Sequence, residues 1–249
     1  MLAVCAVIFG LCAGSFFNVV IYRLPRGQSL SHPPSQCPLC TTRLKPYDNI
    51  PLLSWLLLRG RCRSCGHGIS PRYPLVEALT AIMALGVALS RHGSQPVVLG
   101  FILVAVLVPV SFIDLEYRRI PNLLTATGVL SALVAGLVTE PASLPGQLLW
   151  AALAGGFLLV FALLYPAGLG LGDVKLAAVM GLCLERSVVI AMLSGLLFAM
   201  LYGLAIIAQK GLSEGRKVAV PLAPFLACGS LVALYAGQQL MNSYLGALR

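Results

Sequence analysis

The chain has 249 residues, 59% of them hydrophobic and only 10% charged, with a mean hydropathy of +0.92. Soluble domains carry about a quarter charged residues, so these figures exclude a disordered chain, a fibrous repeat and a water-soluble globule, and make the bilayer the solvent. The net charge of +9 is spread over short loops without interleaved aromatics, which argues against a nucleic-acid partner and leaves topology and attraction to anionic membrane lipid as its meaning.

A helix needs about 20 mainly apolar residues to cross the hydrocarbon, because every backbone polar group must be satisfied within the segment. The apolar runs predict spans at 2–22, 75–90, 95–113, 121–138, 144–165, 187–208 and 222–240, with a short eighth at 174–184. A removable signal peptide would give way to a polar mature chain, and here the apolar runs continue. The expected fold is therefore an all-α polytopic membrane protein of about eight transmembrane helices. Its divisions are a first helix (1–22), a small cytosolic loop domain (23–74) and a seven-helix membrane domain (75–249).

The loop after the first helix holds two C-x2-C pairs, Cys37/Cys40 and Cys62/Cys65. Four thiolates at this spacing can close tetrahedrally on one structural zinc, each pair forming a turn that aims two sulfurs at the metal. His32 and His67 lie nearby and could substitute as ligands, but both read better as surface or satisfied histidines. A loop this short buries little core, a shortage that a metal offsets. The apolar stretch 50–58 around Trp55 is too short to span, so it either rests on the membrane face or packs over the zinc knuckle. Cys5, Cys12, Cys183 and Cys228 fall in apolar helices and read as small core residues.

Lys and Arg accumulate in cytoplasmic loops. The first loop carries Arg23, Arg26, Arg43, Lys45, Arg59, Arg61, Arg63 and Arg72. Alternate loops add Arg118, Arg119, Lys175, Lys210, Arg216 and Lys217, and the other side has only Arg91, Arg186 and Arg249. With eight spans, the cysteine loop lies in the reducing cytosol, where disulfides are disfavoured, and both termini lie outside.

Ionisable residues at spans mark function by default. Asp114 closes the third span and Asp173 opens the sixth, within Gly170-Leu171-Gly172-Asp173. The topology puts both at the cytoplasmic edge, where two carboxylates can share a proton and hold a water, one as general base and the other as general acid. The competing readings are an N-cap for Asp173 and an ion pair with Arg118 or Arg119 for Asp114. The run from Gly168 to Gly172 predicts irregular backbone at that edge, and Gly170 and Gly172 let a bound peptide approach closely. Lys175 is expected to face lipid headgroups or substrate. Glu77 is either a contact for a positive group or the partner of Arg72 or another loop cation.

These stretches together resemble type IV prepilin peptidases, the bifunctional leader peptidases and N-methyltransferases of pilus and type II secretion systems. The resemblance runs through Gly14 to Pro25, the paired C-x2-C loop, Ser70 to Glu77, Asp114 through Asn122, Gly170 to Lys175, and Pro221 to Phe225. It implies that Asp114 and Asp173 are the catalytic pair of a Gly-x-Gly-Asp intramembrane aspartic protease and that Cys37, Cys40, Cys62 and Cys65 bind zinc. One departure is visible: many members carry a longer insertion before the first C-x2-C, where this chain has only 26–36.

The resemblance implies a bacterial inner-membrane enzyme that removes the basic leader of prepilins or pseudopilins and methylates the new N-terminus from S-adenosylmethionine. No glycine-rich strand-to-helix turn of a Rossmann methyltransferase is present, so a donor site must come from the cysteine loop and helix ends, near Gly60 and Glu77. Two rivals remain at this level: a peptidase without methylation, and a zinc-organised scaffold or transporter whose acids carry protons or cations.

Overall fold

A computed structural model describes residues 2–90, 93–165, 168–215 and 218–247. Arg91, Arg216, Lys217 and Arg249 of the charge count lie outside the described residues. The helices are α1 (Leu2–Arg23), α2 (Leu53–Leu57), α3 (Arg72–Ser90), α4 (Ser94–Tyr117), α5 (Asn122–Thr139), α6 (Leu144–Leu164), α7 (Leu171–Leu184), α8 (Val188–Lys210), α9 (Leu212–Gly215) and α10 (Ala223–Ala247). The only extended pairings among the described residues are two isolated bridges in the cysteine loop. The all-α expectation holds, with eight helices where the apolar runs put them.

Among the described residues, six helical stretches are long and apolar enough to cross a membrane. One of them, Leu171–Lys210, joins α7 to α8 over 40 residues. Straight, it would measure about 60 Å, twice the hydrocarbon thickness. It is broken at Glu185, whose φ of 49° no continuing helix allows. The 14 residues of α7 rise only about 21 Å, so α7 is a short element held by its neighbours.

The chain divides into two compact units, Met1–Leu89 and Ser90–Arg249. In the first, α1 lies against α3 through Gly10 and Gly14, where an added Cβ would come within 2.6 Å of Ala81 Cα and 2.7 Å of Glu77 Cα. Small residues let membrane helices approach closely where no hydrophobic effect drives them together. The Asn18 amide donates to the Tyr73 carbonyl at 3.0 Å and fixes the register of the two helices.

In the second unit, α4 is the central helix. Its Leu103, Leu107, Val110 and Ile113 are buried, with Leu176 and Met180 of α7 and Leu226 of α10. The outward faces stay apolar, as Leu148, Leu153, Phe157 and Leu163 of α6 show, which suits lipid as the surrounding solvent. The same reasoning corrects one expectation. Cys183 is buried, but Cys5, Cys12 and Cys228 are on outward faces and are not core residues. In a membrane helix, an apolar residue packs as well against lipid as against protein.

Two helix ends differ from the sequence expectation, and both move the acids. α4 continues past 113 to Tyr117 and stops at Arg118, whose left-handed φ of 52° lets its N–H bond back to the Asp114 carbonyl. The Ile120-Pro121 pair then blocks a further turn. α7 starts at Leu171, not 174, with Gly170 as N-cap. The irregular glycine stretch thus ends at Gly170, and Asp173 lies inside the first helical turn.

Candidate active site and metal centre

Connectivity brings the C-terminal ends of α4, α6 and α8 and the N-terminal ends of α5, α7 and α10 to one end of the second unit. Asp114 is buried at that end, and its Oδ2 accepts a hydrogen bond from the Ala223 backbone N–H at 3.2 Å. Ala223 is the first residue of α10, so the carboxylate satisfies one of the donors that a helix start leaves orphaned. Arg118 is near enough to act on the same carboxylate. Asp114 therefore combines a helix-capping role with the electrostatic part of the expected Arg118 pairing.

Asp173, on the first turn of α7, is half-buried and close enough to Asp114 for the two charges to repel. Its backbone N–H donates to the Gly170 carbonyl at 3.1 Å, and its carboxylate reaches back over Gly170, whose added Cβ would lie 3.5 Å from Oδ2. Gly172 explains how α7 comes this near: a Cβ there would meet Ile120 Cβ at 2.9 Å. Lys175 leaves the acids alone. Its ammonium donates to Asn122 Oδ1 at 2.9 Å and so ties α7 to the first residue of α5.

One participant escaped the sequence reading, the Ala223 N–H, although the prolines at 221 and 224 signalled a helix start there. On α4, three residues before Asp114, the Ser111 hydroxyl is buried without a hydrogen-bond partner among the described residues.

In the first unit, the Sγ atoms of Cys37, Cys40, Cys62 and Cys65 all lie within 4.8 Å of one another. The Cys37–Cys65 and Cys40–Cys62 pairs are 3.8 and 4.0 Å apart, far too long for disulfides. Four sulfurs at about 2.3 Å from a central zinc would stand about 3.8 Å apart, so the cluster fits a tetrahedral ion. Two matching turns build it. Cys37 and Cys62 donate their N–H to the carbonyls of Thr42 and His67, and bridges pair Gln36 with Arg43 and Arg61 with Gly68. The residue after each second cysteine is left-handed, Thr41 at φ 53° and Gly66 at φ 70°. The Thr42 hydroxyl and N–H bring the Cys40 thiol down to about 6. Cys65, despite the His67 N–H, is pushed up to about 11 by desolvation and the other sulfurs. A cation at the centre removes that conflict and lets all four ionise.

Trp55 packs over the second of these turns. Its indole N–H donates to the Ile69 carbonyl at 3.1 Å, and a Cβ at Gly60 would come within 2.8 Å of its ring. Glu77 is buried; its Oε2 accepts from the Leu52 N–H at 2.8 Å, and its carboxylate also accepts from the Ser15 hydroxyl. It thus holds the loop at Leu52, a residue with φ of 60°, to α1 and α3. Arg63 is paired with Asp48 at 2.7 Å.

Fold and site together define a multi-pass helical membrane protein with a four-cysteine cluster in its first unit and, in its second, a buried acid, Asp114, near a half-buried one, Asp173. A profile described as "Bacterial Peptidase A24 N-terminal domain" matches residues 8–91, and one described as "Type IV leader peptidase family" matches 101–208. The chain is similar to proteins named prepilin leader peptidase/N-methyltransferase in three distant bacteria. In Myxococcus xanthus the identity is 40% over 87% of this chain and 65% of the relative's length. In Aeromonas hydrophila it is 34% over 96% and 92%, and in Bacillus subtilis 33% over 96% of both chains. No solved structure matches at a significant level. The chain belongs to the type IV leader peptidase family, the prepilin leader peptidases.

Proposed function

We infer that this protein is a membrane aspartic endopeptidase that removes the leader of type IV prepilins or pseudopilins and then methylates the exposed N-terminal amine. It works in the bacterial inner membrane as a multi-pass protein, with the acid pair and the cysteine loop on the cytosolic side and both termini outside. The carrying observation is that α4 and α7 bring Asp114 and Asp173 within mutual repulsion at one end of the helical unit. Such a pair can share one proton and hold a water between its oxygens.

One carboxylate takes a proton from that water as it attacks the scissile carbonyl carbon, while the other gives its proton to the carbonyl oxygen. Collapse of the tetrahedral carbon breaks the C–N bond, and the leaving amine takes a proton back from the pair. The α10 N-terminus holds Asp114 in place through Ala223, and Gly172 holds Asp173 close by admitting Ile120. A peptide bond in a helix is shielded by its own hydrogen bonds, so the substrate must be locally extended here, and the backbone near Gly170 offers partners for it. The four cysteines hold a structural zinc, whose closed set of ligands leaves no open position for chemistry. S-adenosylmethionine supplies the methyl group.

The test is mass spectrometry of a prepilin co-expressed with the enzyme. The wild type is expected to yield a shortened, monomethylated chain. Cleavage retained by Asp114→Asn or Asp173→Asn would remove the pair from the mechanism, and cleavage without the added methyl mass would reduce the reading to a peptidase.

A further inference from the structure

A groove of about 380 Å³ runs along the face of α1 that carries Cys12, Phe16 and Val19, walled on its other side by the 30–35 loop and by Asn49 and Pro51. A second hollow of about 350 Å³ shares Pro34, Ser35 and Asn49 with it and adds Arg43, Leu44 and Lys45. The wall is built, because the Arg23 guanidinium donates to the carbonyls of Ser29 at 3.1 Å and Pro33 at 2.6 Å and holds the loop against the end of α1. Both hollows lie within the first unit, and the peptidase chemistry uses none of their residues.

The lining changes character along its length. It begins apolar on α1, where Cys12 and Phe16 face outward, passes the polar side chains of Ser31, Ser35 and Asn49, and ends at the exposed cations Arg43 and Lys45. Among the described residues, Arg23, Arg43 and Lys45 are the only charged side chains that line the two hollows. Asp48, the acid nearest to Lys45 in the chain, lines neither and is paired with Arg63 at 2.7 Å. Height adds a second constraint. From Cys12 to Arg23, α1 rises about 16 Å, close to the half-thickness of the hydrocarbon, about 15 Å. α1 lies in a stretch apolar enough to cross a membrane, so a ligand in the two hollows runs from acyl chains to the polar boundary of one leaflet. Such a ligand needs an apolar body at its deep end and an anion at its outer end. A basic peptide is repelled by these cations, and a headgroup that carries an ammonium beside its phosphate finds no acid in the lining. A lipid with a net negative headgroup meets every part, and paired basic side chains at the boundary attract it.

We propose that this groove binds one anionic glycerophospholipid of the phosphatidylglycerol class, with its phosphate at Arg43 and Lys45 and an acyl chain along Phe16 and Val19. The ester and glycerol oxygens lie between, beside the hydroxyls of Ser31 and Ser35 and the amide of Asn49. The bound lipid fixes the cysteine loop at the height of the leaflet boundary, since its chain packs on α1 and its headgroup on the segment that follows Cys40. The site needs neither the peptidase nor the methyltransferase reading and stands if either fails.

The experiment is native mass spectrometry of the full-length protein released from nanodiscs that hold equal parts of phosphatidylglycerol and phosphatidylethanolamine. Wild type is compared with the double variant Arg43→Gln, Lys45→Gln, which removes the outer charge, and with Val19→Trp, which fills the apolar end; zinc content is followed in each. Expected is one phosphatidylglycerol retained by the wild type in preference to phosphatidylethanolamine, with retention lowered by about tenfold in both variants and zinc unchanged. If Val19→Trp loses its zinc, the charge variant decides alone. Retention equal to wild type in the charge variant overturns the site, and so does equal retention of the two lipids by the wild type. Inorganic phosphate that displaces the retained lipid from the wild type, and that the charge variant no longer binds, makes this a free-phosphate site and also overturns the proposal.

Discussion

The cysteine cluster and the acid pair both require side chains to converge on a point, and they do so in opposite ways. Each half of the cluster is a C-x2-C turn closed by its own backbone hydrogen bonds, and the two halves repeat one another down to the left-handed residue after the second cysteine. The acids have α5 and α6 between them in the chain and share no local structure. They come near enough to repel because α4 and α7 pack together and because Gly172 lacks a side chain where Ile120 passes. A site made of turns is held by its ligand, and a site made of helix ends is held by the bundle.

The largest effect that separates the two is loss of an acid. Asp114→Asn and Asp173→Asn should each lower cleavage by about 10³-fold or more, with zinc content unchanged. Next comes loss of the metal. Cys62→Ser, or stripping zinc with a chelator, should unfold the loop between the two turns, read as new protease sensitivity there, while far-UV helicity of the second unit persists. If helicity collapsed as well, the two sites would not be independently held.

The packing argument is sharpened by Gly172→Ala. Its Cβ cannot sit 2.9 Å from Ile120, so α7 must shift, and a displacement of this kind should cost between about tenfold and 10²-fold in cleavage without loss of the fold. Trp55→Ala acts on the other site. Removing the ring from Gly60 and the bond to Ile69 should destabilise the cysteine loop by about 2 kcal/mol, measured as easier zinc release on heating, with a smaller change in cleavage. Smallest is Lys175→Gln. Its bond to Asn122 is exposed, so cleavage should stay within about threefold; a large loss would mean that Lys175 touches the substrate.

Much of this was legible in the chain. Helix number follows from apolar runs because the bilayer demands them, and the metal cluster follows from spacing because a C-x2-C turn is a local object. Helix ends were less legible. The expected start of α7 fell after Asp173 because glycines suggest irregular backbone, whereas Gly170 serves as the N-cap and the helix begins directly after it. The cysteines at 5, 12 and 228 were misread because outward and inward faces of a membrane helix have the same composition. Glu77 drew attention as an ionisable group in a span, yet its hydrogen bonds to Leu52 and Ser15 join segments that no periodicity relates.

The sequence by itself determined that the chain lives in a membrane, how many long helices it forms, that two acids stand at helix ends and that four thiols share one loop. It could do so because hydrocarbon solvates no bare backbone and because thiolates at short spacing have few other uses. Only the tertiary structure decided that Asp114 caps α10, that Asp173 comes within reach of it, that Lys175 turns to Asn122, and that α1 carries a groove. Those outcomes depend on which small residues let helices approach, and a helix carries no local record of its neighbour.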